Sequence, residues 1–251
     1  MNINDYGIGN LIHDGELYDY LNNSLDDFEF YKKWCLKINA PVLELCSGTG
    51  RLTIPLKESG IDITGIDFSD SMMKKANEKT SKKRLNIEFL KGDIRTFEIS
   101  KKFSLIFIPF NSLLCIYTIK DVESVFKQVK KHLKSNGIFI FDIFNPIIHV
   151  MVKREGEFHE RARYMRDDGI EVVISENCHY DSAGQVNRVK WLHKIGENEY
   201  LEKLDMRCFY PLEMDALLQY NSFKVVHKFG SFEETPFDSE SQKQIYVCEI
   251  L

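Results

Sequence analysis

Two glycines and an acidic residue stand close together in a pattern that suits ligand binding. Gly48 and Gly50 lie in the stretch LELCSGTGR, between an apolar run and a helical pattern. A turn of this kind lets backbone N–H groups approach a ligand without a Cβ in the way. A third glycine of the dinucleotide pattern G-x-G-x-x-G would fall at Thr53, which weakens pyrophosphate binding. Glu44 would repel a pyrophosphate and favours a cationic amino group over the turn.

Two further acids follow the next two strand-like runs. Asp67 stands 17 residues after Gly50, where a carboxylate can accept both hydroxyls of a ribose. Asp93 lies in KGDIRTF, where it can accept the exocyclic amine of an adenine while the N–H of Ile94 meets a ring nitrogen. Both NAD and S-adenosylmethionine carry that ribose and that adenine, so these positions alone leave the two cofactors open.

The surrounding residues alternate between strand and helix patterns from residue 41 to residue 144. The runs PVLELC, IDITGIDFSD, LNIEFLKGD, FSLIFIPF and IFIFDIF are typical of strands. The stretch IKDVESVFKQVKKHLKSNG predicts an amphipathic helix that Asn136 and Gly137 close. Together these patterns predict a doubly wound α/β sheet, in which ligands bind beyond the carboxyl ends of the strands.

The pattern changes after Pro146. Three runs, IEVVISENCHY, VNRVKWLHKI and YLEKLDMRCFY, show partial alternation with a period of two residues and are separated by turn-like segments. They predict an antiparallel meander. A helix, PLEMDALLQYN, and two strands, FKVVHKFG and QIYVCEIL, are expected to complete the chain.

Charge and composition narrow the class of partner. The net charge is -5 and the Lys and Arg residues are dispersed, so the basic stripe of a nucleic-acid-binding protein is missing and small molecules are the expected partners. No apolar run approaches a membrane span, and the first residues lack a signal-peptide pattern. We therefore expect a cytoplasmic protein. The six cysteines form no C-x-x-C pair and the histidines show no ligand spacing, so we expect neither disulfides nor a metal site.

The motifs, in this order and spacing, resemble those of the class I S-adenosylmethionine-dependent methyltransferases over about residues 16 to 145. The resemblance rests on LELCSGTG, GIDFSDSMM, KGDIRTF and LKSNGIFIFDIF. The upstream LYDYL and YKKWC and the closing IYVCEI are similar to the branch with amino-sugar N,N-dimethyltransferases and many uncharacterised bacterial members. Cys46 and Ser47 stand where small residues such as Ala are common in the family.

The resemblance implies a Rossmann-like seven-stranded sheet with an antiparallel last strand, helices on both faces, and a small β insertion after strand five. It also implies S-adenosyl-L-methionine as the cofactor and direct in-line transfer of its methyl group to N or O, less favourably C, of a small molecule. The cofactor-binding residues would be Tyr18, Glu44, Ser47, Gly48, Gly50, Asp67, Phe68, Asp93, Ile94 and Phe110.

The acceptor side is less well defined by the sequence. We expect residues 1–39 to form a helical lid, 40–150 and 211–251 the methyltransferase core, and 151–210 an insertion on the substrate side. The acceptor pocket is expected between the segment around Tyr18 and the meander of residues 155 to 210, over the strand ends at Phe110 and Asn145. The sequence identifies no catalytic residue and leaves the oligomeric state open. Tyr18 and His149 are weak candidates for a catalytic role, and Asn111 and Asn145 are candidates for contacting the substrate.

Two other functions remain open from the sequence alone. One is a nicotinamide-dependent oxidoreductase on a similar sheet, against which the missing third glycine, Glu44 and the lack of a hydride-site motif count. The other is a non-catalytic protein that binds S-adenosylmethionine and presents the meander to a partner.

Overall fold

The structure is a computed structural model that describes residues 14–22, 24–38, 41–147, 157–166 and 168–251. The chain divides into two compact units. The smaller is built on Pro146–Phe209 with Leu114–Tyr117, and the larger contains His13–Leu113, Thr118–Asn145 and Tyr210–Leu251.

The elements follow one another in the order that the sequence patterns indicate. The helices are α1 (Gly15–Leu21), α2 (Phe28–Ile38), α3 (Thr53–Glu58), α4 (Asp70–Lys83), α5 (Ile119–His132) and α6 (Pro211–Tyr220). The strands are β1 (Val42–Leu45), β2 (Ile63–Asp67), β3 (Glu88–Lys91), β4 (Phe103–Ile108), β5 (Leu133–Phe144), β6 (His159–Met165), β7 (Glu171–Asp181), β8 (Val186–Ile195), β9 (Asn198–Arg207), β10 (Phe223–Phe229) and β11 (Lys243–Ile250).

The larger unit contains a seven-stranded sheet in the order β10-β11-β5-β4-β1-β2-β3. Strands β1 to β5 pair in parallel, whereas β11 runs antiparallel to both β5 and β10. This arrangement confirms the predicted Rossmann-like sheet with an antiparallel last strand. The strand order reverses between β1 and β4. In open α/β sheets, ligands bind beyond the carboxyl ends of the strands at such a reversal.

The sheet is stabilised by apolar helix faces packed on it. Strands β1, β2 and β4 are buried along their whole length, as expected for parallel strands covered on both faces. Helix α2 places Phe30, Tyr31 and Trp34 in one core cluster with Leu105 and Phe107 of β4. Tyr31 stacks on Phe107 with ring centroids 4.6 Å apart. Helix α2 therefore packs against the sheet from which the candidate site extends.

Helix α5 ends earlier than the sequence predicted. It stops at His132, and Asn136 and Gly137 lie inside β5. The reason is that Leu133 takes an extended conformation and pairs with Phe103 of β4. Strand pairing thus replaces the glycine closure that the pattern indicated.

The smaller unit contains a four-stranded antiparallel sheet in the order β6-β7-β8-β9. The last three strands confirm the predicted meander, and β8 pairs with β7 and β9 along its full length. Strand β6 was not predicted. Its side chains are exposed or half-buried throughout, so it lacks the alternation of apolar and polar residues that indicates a strand.

The N-terminus of α5 offers a test of this fold away from the candidate site. The Thr118 hydroxyl accepts a hydrogen bond from the Asp121 N–H at 3.1 Å. Replacing it in Thr118→Ala should lower the free energy of unfolding by about 1 kcal/mol, because a helix N–H loses its cap. Urea denaturation measures the change. Thr118→Ser keeps the hydroxyl and should retain most of the stability; equal losses in the two variants would contradict the cap.

Candidate cofactor site

The turn after β1 holds its backbone in left-handed conformations. Cys46, Gly48 and Gly50 have φ of 59°, 54° and 77°. A Cβ on Gly50 would approach Ile54 to 3.0 Å and Phe89 to 3.1 Å, whereas a Cβ on Gly48 would meet no atom of the described residues within 4 Å. The two glycines therefore differ: Gly50 allows close packing, and Gly48 faces open space.

Asp67 fixes this turn through its carboxylate. One oxygen, Oδ2, accepts the N–H of Gly48 at 2.8 Å, and the other, Oδ1, accepts the N–H of Ser69 at 2.8 Å. Burial raises the pKa of Asp67, and these backbone hydrogen bonds oppose the rise. Each oxygen has a second lone pair. The carboxylate can therefore hold the turn and still accept hydroxyl donors from a ligand.

Glu44 is a buried carboxyl below the same turn. The Thr53 hydroxyl donates a hydrogen bond to its Oε2. Burial raises the pKa of Glu44 to about 8, opposed by Thr53 and by the Arg51 guanidinium. Within the part of the chain that the structure describes, Glu44 forms no ion pair, because Arg51 binds Asp27. A cationic ligand would supply the missing charge.

Ser47 adds a polar group that has no hydrogen-bond partner among the described residues. Its Oγ is buried and makes no hydrogen bond to any described residue. Its backbone N–H donates to the Ile66 carbonyl at 2.8 Å, so the side chain is held beside β2. Buried hydroxyls usually have a partner. The turn thus combines open space at Gly48, an orphan hydroxyl and two buried acids.

Asp93 is held by an arginine two residues later. Its carboxylate accepts the Arg95 backbone N–H at 2.9 Å and also binds the Arg95 guanidinium, with Nε 2.9 Å from Oδ1. The next residue, Ile94, is buried, and Phe68 after β2 is 38% exposed. The side chain of Asp93 is thus oriented by the protein itself, and its role toward an adenine stays a prediction.

A cluster of Tyr18, Arg51 and Phe110 borders the turn. The Arg51 guanidinium lies 4.5 Å from the centroid of the Phe110 ring, and the Tyr18 and Phe110 rings meet edge to face at 6.4 Å. Burial raises the pKa of Tyr18 to about 12, although Arg51 opposes the rise. The phenol therefore stays protonated at neutral pH.

Sequence reasoning missed the ion pairs that attach the first two helices to this turn. Arg51 binds the Asp27 carboxylate through its two terminal nitrogens, with Nη1 2.7 Å from Oδ1 and Nη2 2.5 Å from Oδ2. Asp19 of α1 accepts the Thr49 hydroxyl at 2.5 Å and binds Lys79 at 2.9 Å. The available signal was the position of Thr49 and Arg51, which lie within or directly after the glycine turn.

The two residues predicted to contact the substrate, Asn111 and Asn145, differ in their hydrogen bonding. Asn111 follows β4, and its Oδ1 is buried without a hydrogen-bond partner among the described residues. Asn145 follows β5, and its Nδ2 donates to the Ser241 carbonyl at 2.9 Å. His149 lies outside the described residues. Asn111 Oδ1 thus lacks a described partner, whereas the Asn145 amide has one.

Three general features of the described residues complete the picture. None of their helices is long and apolar enough to cross a membrane. Among the same residues, no three His, Cys, Asp or Glu side chains are grouped to hold a metal ion. The six cysteines are free thiols.

Comparison with known proteins identifies the domain that carries this turn. Residues 42–137 match the family model of a methyltransferase domain. A relative from Bacillus subtilis (strain 168), YqeM, which is named provisionally as a methyltransferase, is 26% identical over 228 residues, or 87% of this chain and 90% of that protein. Residues 42–137 therefore form a methyltransferase domain. The predicted cofactor class and enzyme class are thereby confirmed.

Solved structures of methyltransferases share the fold. The CcbJ methyltransferase from Streptomyces caelestis superposes with a TM-score of 0.79 at 21% identity, covering 96% of this chain and 98% of that chain. The sugar N-methyltransferase KedS8 from Streptoalloteichus sp ATCC 53650 gives a TM-score of 0.72 at 17% identity, covering 93% of both chains. The predicted likeness to sugar N-methyltransferases is thus found among the structural neighbours.

The glycines of this methyltransferase give a paired prediction. Gly48→Ala should weaken binding of S-adenosylhomocysteine at least about tenfold with a stability loss of about 1 kcal/mol, because its Cβ enters open space at a positive φ. Gly50→Ala should lose more stability, because its Cβ meets Ile54 and Phe89. Calorimetric titration and urea denaturation separate the two effects. Unchanged affinity in Gly48→Ala would show that the ligand lies elsewhere.

Glu44 gives a prediction for pH dependence. The pKa of Glu44 is about 8 in the folded protein and lies above its usual value of 4.5. The protonated carboxyl therefore stabilises the folded state fully below pH 4.5, and this stabilisation is lost as the pH rises through 8. Glu44→Gln removes this titration. Between pH 5 and 9 the variant should therefore gain on the order of 3 kcal/mol relative to the wild type. Equal slopes of the unfolding free energy against pH in the wild type and in Glu44→Gln would contradict the raised pKa of Glu44.

Proposed function

We propose that this methyltransferase transfers a methyl group to a nitrogen of a small molecule by direct in-line displacement. The new N–CH₃ bond forms as the S–CH₃ bond breaks, and the electron pair of that bond stays on sulfur. When bound, S-adenosylmethionine supplies a methyl group that its sulfonium has already activated. The protein then contributes chiefly alignment, with the reacting atoms about 3 to 3.5 Å apart. Oxygen is the second candidate acceptor, and carbon is less favoured.

The residues around the glycine turn suit each part of the cofactor. Glu44 would accept the cationic amino group, and Ser47 with the open space at Gly48 would receive the amino-acid arm. Asp67 would accept the ribose hydroxyls. Asp93 and Ile94 would contact the adenine. The support is the burial of the two carboxyl groups, the Ser47 hydroxyl that lacks a described partner, and the open space that the described residues leave at Gly48.

One observation carries the choice of nitrogen: the Asn111 Oδ1 atom is buried and has no hydrogen-bond partner among the described residues. A neutral amide oxygen accepts an N–H hydrogen bond but is too weak a base to remove a proton. An amine in its unprotonated form can attack with its own lone pair while donating to that oxygen, and the methylated product carries the positive charge that leaves the sulfonium. A hydroxyl acceptor would need a base, and Tyr18, with a pKa of about 12, is unsuited to this role at neutral pH.

Two observations support a small molecule as the methyl acceptor. KedS8 is named as a sugar N-methyltransferase. In addition, the net charge of -5 and the dispersed basic residues disfavour a nucleic acid as substrate. We therefore propose a small, amine-bearing metabolite such as an amino sugar. The lid role of residues 1–39, the substrate-side role of residues 151–210 and the cytoplasmic location stay predictions.

A matched panel of acceptors tests this function. The protein would be incubated with methyl-labelled S-adenosylmethionine and pairs of compounds that differ only in an amine or a hydroxyl, such as glycine and glycolate, or nucleotide-linked amino sugars and their parent sugars. We expect label on the amines alone, and a loss in Asn111→Ala of at least tenfold. Transfer to the hydroxyls alone would overturn the nitrogen assignment. Binding of S-adenosylhomocysteine without transfer to any metabolite in a cell extract would favour a non-catalytic protein.

Tyr18 allows a test of whether methyl transfer uses a general base. Tyr18→Phe should change kcat on the methylated acceptor by less than about tenfold, because a protonated phenol contributes packing rather than proton removal. The pH profile of kcat should also stay unchanged. A general base contributes about 10² to 10⁴-fold, so a loss of that size with a shifted profile would assign the base to Tyr18.

A further inference from the structure

Two consecutive residues after β4 take a conformation that side chains disfavour. Phe110 and Asn111 have φ of 58° and 60°, in the left-handed region where a Cβ is crowded. A bulky aromatic residue is uncommon there. Such a turn persists only where its surroundings hold it, and strained backbone of this kind is frequent at functional sites.

The group that holds this turn is a buried carboxylate on the neighbouring strand. Asp142 of β5 has no exposed surface. Its Oδ1 accepts the backbone N–H of Phe110 at 2.9 Å and the hydroxyl of Tyr31 at 2.7 Å. Lys243 is the nearest cation, with its Nζ 3.9 Å from Oδ2. One oxygen thus joins helix α2 to the first residue of the left-handed turn.

The Phe110–Asn111 turn determines the positions of two side chains on the proposed acceptor side. The Phe110 ring is 40% exposed and contacts both the Arg51 guanidinium and the Tyr18 ring. The Asn111 Oδ1 is the orphan acceptor to which the amine is assigned. If the Phe110 N–H lost its acceptor, the backbone could relax out of the left-handed region and would move both side chains.

We propose that Asp142 is a positioning residue for methyl transfer, which holds the Phe110–Asn111 turn left-handed and thereby places Asn111 Oδ1 for the acceptor amine. Tyr31 orients the Asp142 carboxylate by donating to the same oxygen. This proposal rests on the proposed function for its effect on turnover. Its structural part, the conformation of the turn, does not depend on any acceptor.

The competing explanation is that Asp142 and Tyr31 serve only to stabilise the fold. In that case Asp142 and Tyr31 would only join α2 to the sheet, and loss of the carboxylate would lower stability without changing turnover by the folded protein. A purely apolar pair would serve that purpose without the cost of burying a charge. The contact that distinguishes the two roles is the Phe110 N–H, because it belongs to the strained residue itself.

The test compares Asp142→Ala with Asp142→Asn as the conservative variant. Asp142→Ala removes the acceptor, whereas Asp142→Asn keeps an Oδ1 that can accept from both Tyr31 and Phe110. Crystals of each variant with S-adenosylhomocysteine would show the dihedral angles of Phe110 and Asn111. We expect the turn to leave the left-handed region in Asp142→Ala and to keep it in Asp142→Asn. Unchanged angles in Asp142→Ala would overturn the proposal.

Kinetics on an acceptor from the amine panel provide the functional arm. At saturating S-adenosylmethionine, Asp142→Ala should lower kcat at least thirtyfold, and Asp142→Asn should recover to within fivefold of the wild type. Unchanged kcat per folded molecule would assign Asp142 a structural role. If Asp142→Ala does not fold, Asp142→Ser replaces it, because its shorter side chain cannot reach the Phe110 N–H. If the wild type methylates no acceptor, the proposed function fails, while the turn angles still show whether Asp142 holds the turn left-handed.

Discussion

The Asp67 carboxylate makes the pair of hydrogen bonds on which the rest of the site depends. It lies at the end of β2 and accepts one N–H from the glycine turn after β1 and one from the start of α4. These two contacts fix the ends of two adjacent parallel strands relative to each other. Because the Gly48 N–H is satisfied in this way, the turn can stay open toward solvent without packing a side chain over itself.

The electrostatics of the site follow from this arrangement. Glu44 and Asp67 are both buried, and burial raises the pKa of each. The nearby guanidinium of Arg51 is bound by Asp27 at 2.5 Å and does not pair with Glu44. A ligand with a cationic amino group and ribose hydroxyls would satisfy both acids, which agrees with the cofactor of the methyltransferase family. The same site would hold a pyrophosphate poorly.

Much of the fold could be predicted from the sequence because its signals are local. The buried runs at β1, β2, β4 and β5 and the glycines after β1 follow one another at short spacing. Asp67 could be chosen because an acid at the end of β2 lies beside the turn in any parallel sheet of this kind. The end of α5 was predicted too late, since pairing of Leu133 with Phe103 is not visible in the helical pattern.

The contacts that complete the site could not be predicted because they join distant parts of the chain. Tyr31 and Asp142 are 111 residues apart, and Arg51 and Asp27 are 24 apart. Neither pair has a spacing that marks it. The left-handed conformation of Phe110 is equally hidden, since phenylalanine gives no signal for a positive φ. Only the topology that places β5 beside β4 brings Asp142 under this turn.

The central claim is that S-adenosylmethionine binds at the turn fixed by Asp67. Calorimetric titration of S-adenosylhomocysteine into the wild type and Asp67→Ala, with circular dichroism to confirm folding and NAD as the comparison ligand, tests it most directly. The account predicts tight binding by the wild type, none of NAD, and a loss of roughly 2 to 3 kcal/mol in the variant, on the order of a hundredfold. Equal affinity in a folded Asp67→Ala, or binding of NAD in place of S-adenosylhomocysteine, would contradict it.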